Sequence, residues 1–195
     1  MTGKLLETKR LIIRTFEVND LQSIHRILEL CFGDGGRIAD QGAMAERRSW
    51  LEWSMLNQVW HANLHQPPYG ERAVVLKSGG TLIGAVGLVP SFDRFEQIPE
   101  LRAGEADSGY STPEVGLFWA IEPDYQLLGY ASEAAQALID YAFAELRLKR
   151  IIATTEYDNL VSQAVMRKLG MRLLRNPHPL PPWLQIVGLK ENSLI

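Results

Sequence analysis

The residues best placed to do chemistry are Gln126, Leu127, Leu128, Gly129, Tyr130, Ala131 and Ser132. They lie between an apolar run that reads as a strand and the most regular amphipathic stretch of the chain. A tight turn there would aim unpaired backbone N–H groups at one point, and the positive end of the following helix would add to the same point. Such a site suits a phosphate or a pyrophosphate. Gly129 lets the backbone bend and Ala131 keeps the approach open. Taken alone, the pattern serves equally well as a plain strand-to-helix turn, because short glycine motifs recur by chance.

Other reactive side chains have weaker settings. His61 and His65 are four residues apart, so a helix would place them on one face. The segment between them lacks the glutamate of a zinc-protease motif and no third ligand is evident, so no metal is expected. Neither a Gly-x-Ser-x-Gly elbow nor a Walker phosphate loop occurs. Cys31 stands alone, which excludes an intrachain disulfide and reads as a structural thiol of a reducing compartment. The net charge of −3 gives no footprint for nucleic acid. No apolar run reaches the roughly 20 residues of a membrane helix, and residues 1–16 lack a secretory pattern. The expectation is a cytoplasmic protein of one domain, 1–195, with no membrane or nucleic-acid partner.

These residues need elements to position them. Residues 11–13 suggest a first strand. Asn19 with Gln22 fits a capping box, opening a helix through Cys31 that the run 32–36 ends. Residues 37–64 look helical and carry Trp50, Trp53 and Trp60, which offer either core packing or lining for an acceptor pocket. Apolar runs at 73–76 and 82–88, separated by Lys77-Ser78-Gly79-Gly80-Thr81, predict a β-hairpin. Residues 89–113 read as a long irregular loop on the acceptor side. A strand over 115–121 precedes the loop at 126, a helix covers 131–146 with a continuous apolar stripe, and a β-branched strand covers 151–155. Asn159 is an N-cap for a helix that Gly170 ends, and a proline-rich connection at 177–182 leads to a closing strand at 183–189.

In this order the motifs resemble those of the GNAT N-acetyltransferase superfamily, and within it the RimJ/RimL-like branch. The family's phosphate-loop pattern, Gln/Arg-x-x-Gly-x-Gly/Ala, is matched by Gln126, Gly129 and Ala131. The surrounding text from Trp119 to Ala134 is similar throughout. Asn159-x-x-Ser162 followed by Lys168-Leu169-Gly170-Met171 looks like the family's next helix and its exit. Glu7-Thr8-Lys9-Arg10-Leu11-Ile12-Ile13-Arg14, then Asp20, resemble the branch's opening strand and first helix. Two departures stand out. Leu127 and Leu128 replace glycine and a basic residue, which removes a cation near the pyrophosphate. Met166 stands where many relatives place a tyrosine able to protonate the departing thiolate.

The resemblance implies an α/β (α+β) GNAT fold: a mixed sheet of about six to seven strands, splayed near the cofactor and flanked by about four helices. It implies acetyl transfer from acetyl-CoA to a primary amine, either a small molecule or a protein N-terminus, by a monomer or homodimer. Trp119, Ala120 and Ile121 would meet the pantetheine arm, and residues Gln126 to Ser132 the pyrophosphate. Asn159 would hydrogen-bond the arm while capping its helix. Ser162 would contact the cofactor or order a water, or else be an ordinary helix residue. Arg167 or Lys168 would meet the nucleotide phosphate, or else lie on a solvated face. Glu114, at the start of its strand, is the first candidate for the base, with a solvated strand-end carboxylate as the plainer alternative. Two other readings keep the same residues: a non-catalytic coenzyme A-binding module and a different α/β nucleotide-binding protein.

Overall fold

Alternating apolar residues at the start of the chain build an antiparallel sheet in the computed structural model, which describes residues 4–33 and 35–193. Strands β1 (Leu6–Glu7), β2 (Leu11–Arg14), β3 (Gly70–Leu76) and β4 (Leu82–Asp93) pair in sequence order. The hairpin between β3 and β4 closes through Gly79 and Gly80, at φ 87° and 69°, angles that cost glycine little. Two helices, α1 (Leu21–Phe32) and α2 (Gln41–Asn63), contact each other. Ile24, Ile27, Leu28 and Leu51 from these helices share one core with Ala73, Val75 and Ala85 from the sheet.

The capping pair expected at Asn19 and Gln22 is not what opens α1. A 3-10 turn, Val18–Asp20, precedes the helix and takes Asn19 inside it. Asp20 organises the junction instead. Its carboxylate accepts from the Glu17 N–H at 2.8 Å and from both terminal nitrogens of Arg14 at 2.7 and 2.9 Å. The reach of a buried carboxylate to a strand arginine outweighs the local Asx preference. At α2 the local signal holds: Asp40 accepts from the Ala43 N–H at 2.8 Å. The outer face of α2 leaves Trp53, Leu56 and Trp60 each more than half exposed, so two of the three tryptophans are not core.

By its contacts the chain forms two compact units. One holds the described residues through Leu88 together with Phe118–Leu138, and the other holds Val89–Leu117 with the described residues from Ile139. In the second unit, β5 (Thr112–Ile121) registers Gly116 with Ile152 of β6 (Arg150–Thr155) in parallel. β8 (Ile186–Glu191) lies antiparallel to both β6 and β7 (Arg172–Arg175). Helices α3 (Tyr130–Ala144) and α4 (Leu160–Lys168) complete the four helices among the described residues. The eight strands are ordered β1-β2-β3-β4-β5-β6-β8-β7 in a mixed sheet. The expectation of six or seven strands missed β1, two residues long, and β7, four residues between Gly170 and the prolines.

Three boundaries differ from the sequence reading. β4 runs on to Asp93, and β5 begins at Thr112 rather than residue 115. The span between them is no free loop: it makes the 3-10 turns Phe95–Gln97 and Pro99–Leu101, which sink Phe95 and Ile98 into a core with Leu174, Leu184 and Val187. The closing strand begins at Ile186, because Pro182–Leu184 is also a 3-10 turn. No helix of the described residues is long and apolar enough to cross a membrane.

Gly84 fixes how closely β4 approaches the end of β5. A Cβ there would lie 2.3 Å from the Ala120 carbonyl oxygen and 2.6 Å from Ile121 Cδ1. Gly84→Ala should therefore cost about 1–3 kcal/mol, read as a lower urea midpoint at unchanged slope. Gly104→Ala, where an added Cβ meets nothing within 4 Å, should leave the midpoint nearly unchanged.

Candidate functional site

β5 delivers Trp119, Ala120 and Ile121 to a turn, Pro123–Tyr125, and the chain then enters the segment that begins at Gln126. Gln126 braces this segment from within. Its Nε2 donates to the Ile121 carbonyl at 2.8 Å and its N–H donates to Pro123 O at 3.1 Å. It therefore holds the loop to the strand. Leu127 follows at φ 60° and Gly129 at φ 84°. A bulky residue at positive φ is uncommon and costs on the order of 1 kcal/mol. The Leu127 side chain is 90% exposed, so no packing accounts for that angle; the turn does.

Positive φ at both Leu127 and Gly129 gives this segment the alternating backbone hand from which anion-binding nests are built. The first bond of α3 runs from the Glu133 N–H to Gly129 O at 3.1 Å. The N–H groups of Tyr130, Ala131 and Ser132 precede it and have no intrahelical acceptor. The Ser132 hydroxyl turns inward and donates to Gly129 O at 3.0 Å, so its N–H rather than its side chain faces outward chemistry. The residues after Gln126 can hold an anion through backbone donors and the helix end.

A cation reaches this loop from a place the sequence did not mark. Arg10, just ahead of β2, donates from its terminal nitrogen to Leu128 O at 3.1 Å, and its guanidinium lies 4.1 Å from the centre of the Tyr130 ring. Its Nε donates to Glu133 at 2.6 Å and its backbone N–H donates to the same carboxylate at 2.9 Å. The Thr8 hydroxyl adds a third donor at 2.5 Å. Burial alone would push the Glu133 carboxyl up. The donors from Thr8 and Arg10 outweigh it and hold the group below the usual carboxylate range. Arg10 thus braces the loop through the Leu128 carbonyl, with its own charge paired to Glu133. The available signal was the Thr8-x-Arg10 spacing, but nothing local to residue 10 points to residue 133.

The floor beneath the loop is polar and fully engaged. The Ile121 carbonyl accepts from Cys31 Sγ at 3.3 Å as well as from Gln126. Burial pushes the Cys31 thiol up and the nearby Glu122 carboxylate adds to it, so this cysteine is a structural donor. Glu122 is itself buried and paired with Arg26.

Glu114, Asn159, Ser162 and Arg167 belong to the other unit. Both oxygens of Glu114 accept from Arg150, with Nε at 2.9 Å, and this bond lifts the arginine above its ordinary value. Glu114 is therefore no free strand-end carboxylate. Acting as a base would require it to release a guanidinium that is bound two-pronged. Asn159 caps α4, accepting from the Ser162 N–H at 3.0 Å. Arg167 is exposed and reaches Gln163 Oε1 at 3.4 Å, as a solvated helix-face residue would. Met166 is fully buried and packs beside Gly188, so that position faces β8 and the core. The two histidines part company: α2 ends at Asn63, and His65 lies beyond it at φ 54° while His61 meets Gln66 at 3.1 Å.

The clasp on Glu133 should be visible in acid. A carboxylate held below its unfolded value stabilises the fold fully above about pH 4.3 and loses that contribution as the pH falls through its folded value. Between pH 7 and pH 3, Glu133→Gln should show a shallower fall in Tm than the parent protein. Arg10→Ala should cost about 1–2 kcal/mol at pH 7 by urea unfolding, because it removes the charged donor of Glu133 and leaves only the Thr8 hydroxyl and a backbone N–H.

Against this geometry, a family model described as the acetyltransferase (GNAT) domain matches residues 10–172. A Bacillus subtilis protein named as an N-acetyltransferase, YnaD, is 33% identical over 86% of this chain and 82% of its own length. A GNAT-family acetyltransferase from Bacillus anthracis shares the fold at TM-score 0.61 and 24% identity, over 95% of this chain and 96% of that one. A RimL ribosomal-protein acetyltransferase, in complex with coenzyme A, does so at TM-score 0.60 and 13% identity, over 95% and 96%. With a family match across most of its length and the loop 126–132 poised for an anion, this chain belongs to the GNAT acetyltransferase family.

Proposed function

We propose that this chain is an acetyl-CoA-dependent N-acetyltransferase that moves an acetyl group to a primary amine by direct attack on the thioester. The observation that carries the reading is the segment Gln126 to Ser132: N–H groups ahead of the first bond of α3, with Leu127 and Gly129 both at positive φ. Those donors need no side chain, so they fit a pyrophosphate despite Leu127 and Leu128. Trp119, Ala120 and Ile121 are proposed to meet the pantetheine arm. The Ile121 carbonyl already accepts two protein donors, which leaves Trp119 and Ala120 the larger share. Asn159, Ser162 and Arg167 are proposed contacts of the same cosubstrate. The chain is proposed to act as one domain, in the cytoplasm, as a monomer or homodimer.

The chemistry sets two demands. An amine with a pKa of about 8 to 10 is protonated at neutral pH and must give up a proton before it can attack. The oxyanion that forms on the thioester carbon needs a positioned donor. Glu114 meets the first demand only if it leaves Arg150.

Calorimetry should show acetyl-CoA binding to the folded protein, and Gly129→Val should weaken it at least tenfold, about 1.4 kcal/mol, because a β-branched residue resists φ 84°. Unchanged affinity in a folded variant would sink the loop assignment. Thiol release with a panel of amines then separates an enzyme from a coenzyme A-binding module, which would bind without turnover. Glu114→Gln should lower the unfolding midpoint while leaving the amine-dependent rate within about twofold; a rate collapse at unchanged stability would restore Glu114 as the base.

A further inference from the structure

One face of β3 carries Glu71, Ala73 and Val75, since alternate residues of a strand share a face. Ala73 and Val75 enter the core with α1 and α2. Glu71 sits at the open end of that face, and its cross-strand partner is Gly87, which presents no side chain over it. A cavity of about 520 Å³ results, within the range of about 300–1,000 Å³ typical of small-molecule sites. Its apolar walls include Phe32 and Phe118, stacked at 5.8 Å between ring centres, and Trp50.

The charges lining this cavity are nearly all matched. Glu29 meets Arg47 at 3.4 Å, and Arg47 also lies over the Trp50 ring at 5.3 Å. Arg37 is paired with Glu46 at 2.6 Å. Among the described residues, Glu71 has no such partner, and its carboxylate is left as the one unmatched charge of the lining. Arg47 Nε is buried with no hydrogen-bond partner.

We propose that this cavity is the acceptor subsite, and that it takes a small monoamine on an aromatic or apolar body, with Glu71 holding the ammonium group and accepting its proton. The proposal rests on the acetyltransferase reading above. Three aromatic walls match an aromatic body, and a single unmatched carboxylate matches a single positive charge. A polyamine or aminoglycoside would bring several charges to a lining whose other carboxylate, Glu29, is already paired with Arg47. Burial pushes the Glu71 carboxyl up, toward the range of a useful base. The step balances: one ammonium proton passes to Glu71, and the freed nitrogen lone pair attacks the thioester carbon. The C–N bond then forms as the C–S bond breaks, and the second nitrogen proton leaves with the thiol.

Phenethylamine is the probe, measured first by calorimetry without acetyl-CoA, so that the cavity is judged apart from the transfer reaction. The parent protein should bind it at least tenfold more tightly than 2-phenylethanol, its neutral counterpart. Glu71→Gln should abolish that preference, leave acetyl-CoA affinity unchanged and leave the fold as stable or more so, because it removes a half-buried charge that no cation offsets among the described residues. In thiol release with acetyl-CoA, phenethylamine should outperform spermidine and an N-terminal peptide, and Glu71→Gln should lower its kcat/KM at least a hundredfold. No binding of phenethylamine, equal binding by Glu71→Gln, or a preference for spermidine or the peptide would each overturn the proposal. Loss of acetyl-CoA binding in the parent protein would instead strike the acetyltransferase reading, with the calorimetric result still deciding the cavity.

Discussion

The Glu133 carboxylate, on the first turn of α3, collects three donors from residues 8 and 10. Much else in the first unit follows from that contact. It fixes where α3 begins, and therefore where the N–H groups of Tyr130, Ala131 and Ser132 point. It brings the Arg10 guanidinium to the Leu128 carbonyl and against the Tyr130 ring, so the loop is braced by an ion-paired arginine. The opening strand thus does more than extend the sheet.

Two carboxylates illustrate how environment divides labour. Glu114 is gripped by Arg150 and serves the sheet, whereas Glu71 lines a cavity with no cation paired to it among the described residues. From sequence, Glu114 looked the better base because it begins the strand before the loop. Pairing decides otherwise: both oxygens of Glu114 are engaged two-pronged by a guanidinium, whereas desolvation pushes the Glu71 carboxyl up.

What could be read in the chain was what is local. The Gly79-Gly80 turn, the Asn159 cap, the alanine-rich stripe of α3 and the bend at Gly129 each depend on residues within a few positions, and each is found. The misplaced features depend on distant partners. Asn19 lost its cap role to Asp20, which is drawn to Arg14. Phe95 and Ile98 show no strand or helix period, yet they are buried against residues some 80 positions on. Gln126 was matched by type to a phosphate loop, but its amide turns back to Ile121. Glu71 was legible in principle, as a lone carboxylate alternating with Ala73 and Val75, but its meaning depends on Gly87 across the ladder.

The separation between Arg10 and Glu133 also has a consequence in time. The two residues are 123 positions apart. At about 5–20 residues per second of synthesis, the arginine emerges roughly 6–25 s before its partner exists. The first unit cannot be completed as it is made, because it waits for Phe118–Leu138. For that interval the opening strand and both early helices must stay out of trouble without the contact that later anchors the start of α3.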